Sequence, residues 1–239
     1  MFPFFFKERE MIRAAIFDLD NTLTDFGKLK NEAIRSALLA MQEAGLDLHP
    51  QLAFDRIMNF YSEQGWENQK VLDHFIIEQC GYLDYKFLAA GIVGYRQGRE
   101  AALAPYQYVH PTLIKLLRSG LRLGVVSDAP SREAWLRLVQ LNFHHLFDAV
   151  VTFDDTGERK PHPAPFQKIL EKLNVRPQEA IMVGDWAERD MLGAKRIGMT
   201  TVFARYGDLF STSESGADYE IDRFDQLCEI IQKCNEGEQ

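Results

Sequence analysis

The sequence predicts an α/β fold, a doubly wound parallel sheet interrupted by an all-helical insertion, and three observations predict it. Several short apolar runs lack polar alternation, which suits strands buried on both faces. Helical patterns lie between them, as parallel strands require. One long region after the first run carries helical periodicity only.

The elements follow in order. Residues 12–17, "IRAAIF", form the first expected strand and run straight into Asp18. "LRLGVVS" (121–127), "EAIMVGD" (179–185) and "TTVFA" (200–204) read the same way, and "AVVTF" (149–153) with "DYEI" (218–221) completes a sheet of five or six strands. "SREAWLRLVQLN", "PAPFQKILEKL" and "WAERDMLGAKRIG" supply intervening helices. From Asp25 to Ala104, "KNEAIRSALLAMQEAGL", "PQLAFDRIMNFYSEQG", "QKVLDHFIIEQCG" and "YKFLAAGIVGYRQGREAAL" repeat apolar residues every three or four positions. Gly45, His49-Pro50, Gly65, Gly81 and Pro105 punctuate them as helix ends do. The expected division is therefore a Rossmann-like core of residues 11–24 and 105–236, a helical cap of residues 25–104 over the carboxyl edge of the sheet, and an N-terminal extension of residues 1–10.

Composition narrows the functional classes. A chain of 239 residues, 46% hydrophobic and 26% charged, is ordinary for a globular protein with one full core and a smaller second one. The net charge of -8 argues against a nucleic-acid surface. Three cysteines, Cys80, Cys228 and Cys234, without CxxC spacing, fit neither a disulfide framework nor a zinc site, and a reducing cytoplasmic setting is expected. "MFPFFFKERE" is too short an apolar stretch for a signal segment or a membrane span, so no membrane partner is expected; Met11 is an alternative start. Monomer and homodimer stay equally open.

The chemistry is concentrated where strands end, because loops and helix N-termini gather at the carboxyl edge of an open sheet. Asp18, Ser127 and Asp185 all fall there. Asp18 and Asp20, two residues apart, would face one way and repel each other in a desolvated site, so they require a shared proton or a cation. A hard divalent ion such as Mg²⁺ meets that need with one or two carboxylates and substrate phosphate oxygens. Asp185 can supply a third carboxylate, with Asp190 one helical turn on. Ser127, Asp128 and the amides beside them can meet phosphate oxygens, and Lys160, in a proline-stiffened loop, adds a positive charge.

These blocks, "DLDNT" (18–22), Ser127 in "VVSDAP", Lys160 in "KPHPAPF" and "GDWAERD" (184–190), resemble in order and spacing the four motifs of the haloacid dehalogenase-like hydrolase superfamily. The helical insert between the first two resembles its type 1 cap. The resemblance implies Asp18 as the nucleophile that forms an aspartyl-phosphate and Asp20 as general acid and base. It implies Mg²⁺ on the Asp18 carboxylate, the Asp20 carbonyl and Asp185. Asn21 and Thr22 would fix the loop, Ser127 and Lys160 would bind the phosphoryl group, and Asp190 would orient Lys160 or a metal water. The implied substrate is a small phosphorylated metabolite, and the nearest group includes phosphatases of glyceraldehyde 3-phosphate, phosphoglycolate and sugar phosphates. Because true dehalogenases of this kind lack the second aspartate, Asp20 favours phosphatase over dehalogenase. A sugar phosphomutase is the alternative, ahead of a non-catalytic regulator. A receiver-type signalling domain shares the chemistry but places its acceptor aspartate on a later strand and has no large insertion.

Each residue also has a plain structural reading. Asp18 and Asp20 can be a turn and helix cap, Ser127 an N-cap, Lys160 a surface lysine and Asp190 an exposed helical carboxylate. Lys28 and Lys30 are expected on a solvated face, and Lys70 and Lys86 are without a distinguishing context. Tyr61, Trp66, Phe75, Tyr85 and Tyr95 are expected to build the cap core. His74, His144 and His145 read as structural, and His162, where the family's third motif is acidic, reads as a turn residue.

Overall fold

The computed structural model of the protein describes residues 11–65, 68 and 70–236. Residues 1–10, expected as an extension, and Trp66 lie outside the described residues. The elements run β1 (Ala14–Phe17), α1 (Phe26–Glu43), α2 (Pro50–Gln64), α3 (Val71–Cys80), α4 (Tyr85–Ala102), α5 (Val109–Arg118), β2 (Arg122–Val126), α6 (Ser131–Gln140), β3 (Ala149–Val151), α7 (Phe153–Thr156), α8 (Pro163–Leu173), β4 (Ala180–Gly184), α9 (Leu192–Arg196), β5 (Thr200–Ala204), β6 (Tyr219–Ile221) and α10 (Leu227–Glu236). One unit extends to Asp25 and resumes at Ala104; the other is Phe26–Leu103.

The first unit is a six-stranded sheet in the order β3-β2-β1-β4-β5-β6, with every pair parallel. Alternate residues of the strands enter opposite cores. Ala15, Phe17, Leu123, Val125, Ile181 and Val183 pack on one face with α5, α6 and α10, whereas Ala14, Ile16, Val126, Ala180 and Met182 meet α8 and α9 on the other. The period of two and the burial of both faces together account for the absence of polar residues in these runs. Each fully buried Phe or Leu, such as Phe17, Phe166 or Leu123, contributes about 1.5–3 kcal/mol by removal of apolar area from water. The short "DYEI" run forms the edge strand β6, half exposed, against β5.

Strand order positions the functional edge. The chain moves from β1 to β2 and β3 on one side, then crosses to β4 on the other, so β1 and β4 are neighbours whose connections diverge. In register, Phe17 pairs with both Val125 and Val183, which brings the residues after β1, β2 and β4 to one line. Just beyond, Thr24 bridges Pro105 and Tyr106 N–H donates to Leu23 O at 3.1 Å, so the chain leaves and re-enters this unit at adjacent points.

The second unit is built of α1 to α4. His49 caps α2 with Pro50 at its first position, Asp84 caps α4 by accepting from Lys86 N–H, and Gly81 closes α3 in the left-handed region. Ile34, Ala37, Leu38, Met41, Ile57, Tyr61, Phe75 and Ile76 form its core. Two expectations are corrected here. Lys30 is buried, not solvated, with its ammonium 3.8 Å from the centroid of Tyr61 and 5.5 Å from that of Tyr95, because cation–π contact replaces part of its hydration. Tyr85 is exposed, since it occupies the first turn of α4 beside the Asp84 cap and is turned away from the apolar stripe.

Helices α1 and α4 approach closely through a stripe of Gly91, Gly94 and Gly98 on α4. A Cβ at position 94 would lie 2.4 Å from the carbonyl oxygen of Ser36, a backbone atom that cannot rotate aside. Gly94→Ala should therefore force the helices apart and destabilise this unit by about 1–3 kcal/mol, the usual cost of overpacking. Urea unfolding of the intact protein measures it, and an unchanged midpoint would show that the close approach carries no stability.

Candidate active site

The site lies where four segments end at the carboxyl edge of the sheet. Asp18 follows β1 and its N–H donates to Val183 O at 2.9 Å, which continues the ladder with β4 by one residue. Asp185 follows β4. The carboxylates of Asp18, Asp185 and Asp190 each offer an oxygen within 4.8 Å of the others, all three residues being buried. Asp190 arrives from a π-helical turn, Ala187–Met191, that precedes α9. Its backbone N–H donates to Trp186 O and its carboxylate accepts from Trp186 N–H at 3.1 Å, so the turn closes on its own side chain. A Cβ at Gly184 would lie 2.5 Å from that carboxylate; only glycine leaves it room.

Lys160 is buried among these acids. Its ammonium donates to the Asp18 carboxylate, pairs with Asp190 at 2.6 Å and donates to Val126 O at 3.2 Å. Lys160 is 5% exposed and Asp190 is 1% exposed, which excludes the surface reading for both. The loop that carries Lys160 is tied by its own N–H to Asp128 Oδ1 at 2.9 Å, and Asp128 Oδ2 accepts from Arg189 at 3.0 Å. The Asp128 side chain thus ties two loops together by accepting a hydrogen bond from each. Ser127 is buried, with its N–H on Val151 O and its hydroxyl oxygen accepting from Ala129 N–H at 3.2 Å. It stands in the turn before α6, whose N-cap is Pro130, not Ser127.

The loop after Asp18 is held from two sides. Thr22 Oγ1 donates to Asp185 Oδ1 at 2.9 Å, and Tyr206 OH donates to Thr22 O at 2.8 Å. Asn21 takes a positive φ of 59°, a conformation that asparagine tolerates, and its carbonyl lies so near Gly207 that a Cβ there would come within 1.7 Å. Asp20 is not in the carboxylate cluster; its Oδ2 accepts from Arg137 Nη1 at 3.2 Å. His162 is exposed and caps α8, accepting from Ala164 N–H. The rings of His144 and His145 lie 3.6 Å apart, tilted by 49°, and His74 lies against Phe60.

Three carboxylates around one ammonium leave an excess of negative charge in a desolvated place. Burial pushes the Asp18 carboxyl up to about 8 against the pull of Lys160, with Asp190 and Asp20 adding to the rise. Burial likewise holds Asp185 well above the ordinary carboxylate range, with Asp18 and Asp190 beside it. Lys160 is raised in spite of its burial by Asp18, Asp190 and Asp128 and stays charged. An all-oxygen donor set with surplus charge is the chemistry of a hard divalent cation, and these residues fit one.

Arg137 and Tyr206 belong to this site and lie outside the four motifs, and Arg189 lies within "GDWAERD" without having been singled out there. The one sequence signal for Arg137 is its place on the buried face of α6, beside Ala134 and Leu138, where the helical pattern calls for an apolar residue.

Residues 15–204 match the model of the haloacid dehalogenase-like hydrolase family. The chain is 35% identical over 229 residues to the glyceraldehyde 3-phosphate phosphatase of Methanopyrus kandleri, which spans 93% of this chain and 98% of that protein. It is 32% identical to the glyceraldehyde 3-phosphate phosphatase of Pyrococcus furiosus over 94% of this chain and 95% of the relative. Among solved structures, a HAD phosphatase from Thermococcus onnurineus superposes with a TM-score of 0.67 at 27% identity, covering 92% of this chain and 98% of that one.

The raised carboxyls make the stability of the metal-free protein depend on pH in a predictable direction. A folded carboxyl above its unfolded value binds its proton more tightly in the folded state, so stability falls as pH rises from about 4 through the Asp18 value of about 8. With EDTA, the melting temperature should fall across this window, by about 2–4 °C for each kcal/mol lost, and Asp18→Asn should flatten the slope. Added Mg²⁺ should stabilise most at the upper end, where the carboxylates are ionised. Parallel slopes in parent and variant would sink this account.

Proposed function

The chain belongs to the haloacid dehalogenase-like hydrolase family and is a phosphatase of that type, and on that premise we propose that it hydrolyses a small phosphomonoester, glyceraldehyde 3-phosphate foremost, with Mg²⁺ as cofactor. The observation that carries the reading is the cluster of Asp18, Asp185 and Asp190 about Lys160. Asp18 and Asp185 would hold the cation together with the Asp20 carbonyl, and bound there it would offset the charge brought by the phosphoryl group.

The remaining work falls to side chains. Asp18 attacks phosphorus in line, and the bond to the ester oxygen breaks as the aspartyl-phosphate forms. Asp20 gives its proton to that oxygen, so the leaving group departs as an alcohol and not as an alkoxide. In the second half Asp20 takes a proton from water, whose oxygen attacks the same phosphorus and returns Asp18 as a free carboxylate with release of phosphate. Lys160, permanently charged and fixed by Asp190, stabilises the equatorial oxygens through both steps, and Ser127 presents its hydroxyl to them. Thr22 keeps Asp185 oriented through its hydroxyl. Glyceraldehyde 3-phosphate is the preferred substrate in this reading because relatives that match nearly end to end carry that activity.

Phosphate release from triose, glycolate, sugar and nucleotide phosphates, with Mg²⁺ and with EDTA, tests the proposal. Metal-dependent release, greatest with glyceraldehyde 3-phosphate, is expected. Asp18→Asn should lower kcat by at least about 10³-fold without unfolding the protein, as loss of a nucleophile does. Asp20→Asn should slow turnover by about 10²- to 10⁴-fold while Mg²⁺ binding persists. Activity indifferent to EDTA, or retained by Asp18→Asn, removes the assignment.

A further inference from the structure

We propose that Arg137 is a positioning residue that aims the Asp20 carboxylate, an inference that rests on the acid and base role given to Asp20 above. Asp20 stands two residues from Asp18, beside a site whose chemistry attracts a cation. Its carboxylate has an obvious wrong destination. Drawn into the cluster of Asp18, Asp185 and Asp190, it would become a fourth acceptor there and could no longer exchange a proton with the ester oxygen. Instead it lies outside that cluster, with Oδ2 on Arg137 Nη1 at 3.2 Å.

The place of Arg137 argues for a purpose. It is 8% exposed, on the face of α6 that buries Ala134 and Leu138, where an aliphatic side chain would bury area without desolvating a charge. A guanidinium keeps its charge at every pH the protein meets, so it holds the carboxylate through both halves of the reaction. The helix adds registry. Ser127 begins the turn that leads into α6 and Arg137 sits two turns along it, so one rigid element joins the phosphoryl-binding hydroxyl to the group that aims the acid. Glu133, also buried on this face, pairs with Arg132 at 3.0 Å.

The test is steady-state kinetics of the whole protein, with Mg²⁺ and the phosphomonoester that the parent turns over best. Arg137→Gln, Arg137→Lys, Asp20→Asn and the two double variants are compared. Arg137→Gln should lose about 10- to 100-fold in kcat, a part of what general acid catalysis contributes, with KM within about three-fold of the parent. Arg137→Lys, which keeps the charge, should recover part of the loss. With Asn at position 20, Arg137→Gln should cost less than about two-fold, because there is no acid left to aim. A crystal structure of Arg137→Gln should show the Asp20 carboxylate rotated. Should Arg137→Gln fail to fold, Arg137→Lys carries the same comparison in both backgrounds.

Parent-like kcat in Arg137→Gln, an equal loss in both backgrounds, or an unmoved Asp20 overturns the inference and reduces Arg137 to a packing residue. A folded, Mg²⁺-binding parent that hydrolyses no phosphomonoester overturns the phosphatase reading itself and this inference with it, a result distinct from an active parent with an indifferent variant.

Discussion

The ammonium of Lys160, buried between Asp18 and Asp190, is the interaction on which the rest of this structure depends. A buried lysine and buried carboxylates are each costly alone, and they persist here only because each is the other's counter-charge. The balance remains uneven, with Asp185 a further carboxylate in the same cluster, and a surplus of buried carboxylate oxygens is the chemistry that suits a hard cation. Stability and function oppose one another at this edge. The carboxyls that burial raises here are the same ones to which the proposed chemistry is assigned.

The surrounding fold reads as a set of supports for that cluster. Neighbouring β1 and β4 deliver Asp18 and Asp185 side by side, and β2 on the other flank delivers Ser127. Glycine at 184 makes space for the Asp190 carboxylate, and glycine at 207 lets a second loop come against Asn21. Thr22 spans from the first loop to Asp185 and is itself held by Tyr206. Asp128 ties the backbone of Lys160 to Arg189. These contacts lock rotamers of groups that would otherwise repel one another, which is how preorganisation is achieved in a site built on strand ends.

The helical unit follows a different logic. Its close pair, α1 and α4, relies on absent side chains, the glycines at 91, 94 and 98, and so accepts poor helix propensity in exchange for short interaxial distance. Among its described residues one charge is buried, Lys30, which lies among the ring faces of Phe26, Tyr61 and Tyr95. Neither feature follows from apolar periodicity, because periodicity registers which face is buried and not how near the partner comes.

The sequence by itself determined the sheet, the insertion and the chemistry of the carboxyl edge. Runs such as "AAIF" and "AIMVG" have a single low-energy use, burial on both faces, and the order of "DLDNT", Ser127, Lys160 and "GDWAERD" is a linear property that survives without coordinates. Tertiary structure alone decided who pairs with whom. Asp20 and Asp18 are near-identical in sequence context, yet one carboxylate meets Lys160 and the other Arg137, a partner 117 residues away. Asp190 is marked in the sequence by its place in "GDWAERD", but its burial comes from a π turn and from Gly184, which make room for it. Lys30 carries the local signature of a solvated face and is enclosed by aromatics from two other helices. Charge pairing and close approach act through space over a few ångströms, whereas the chain records only propensity and period, so the partners of a buried charge emerge only when the fold brings distant residues together.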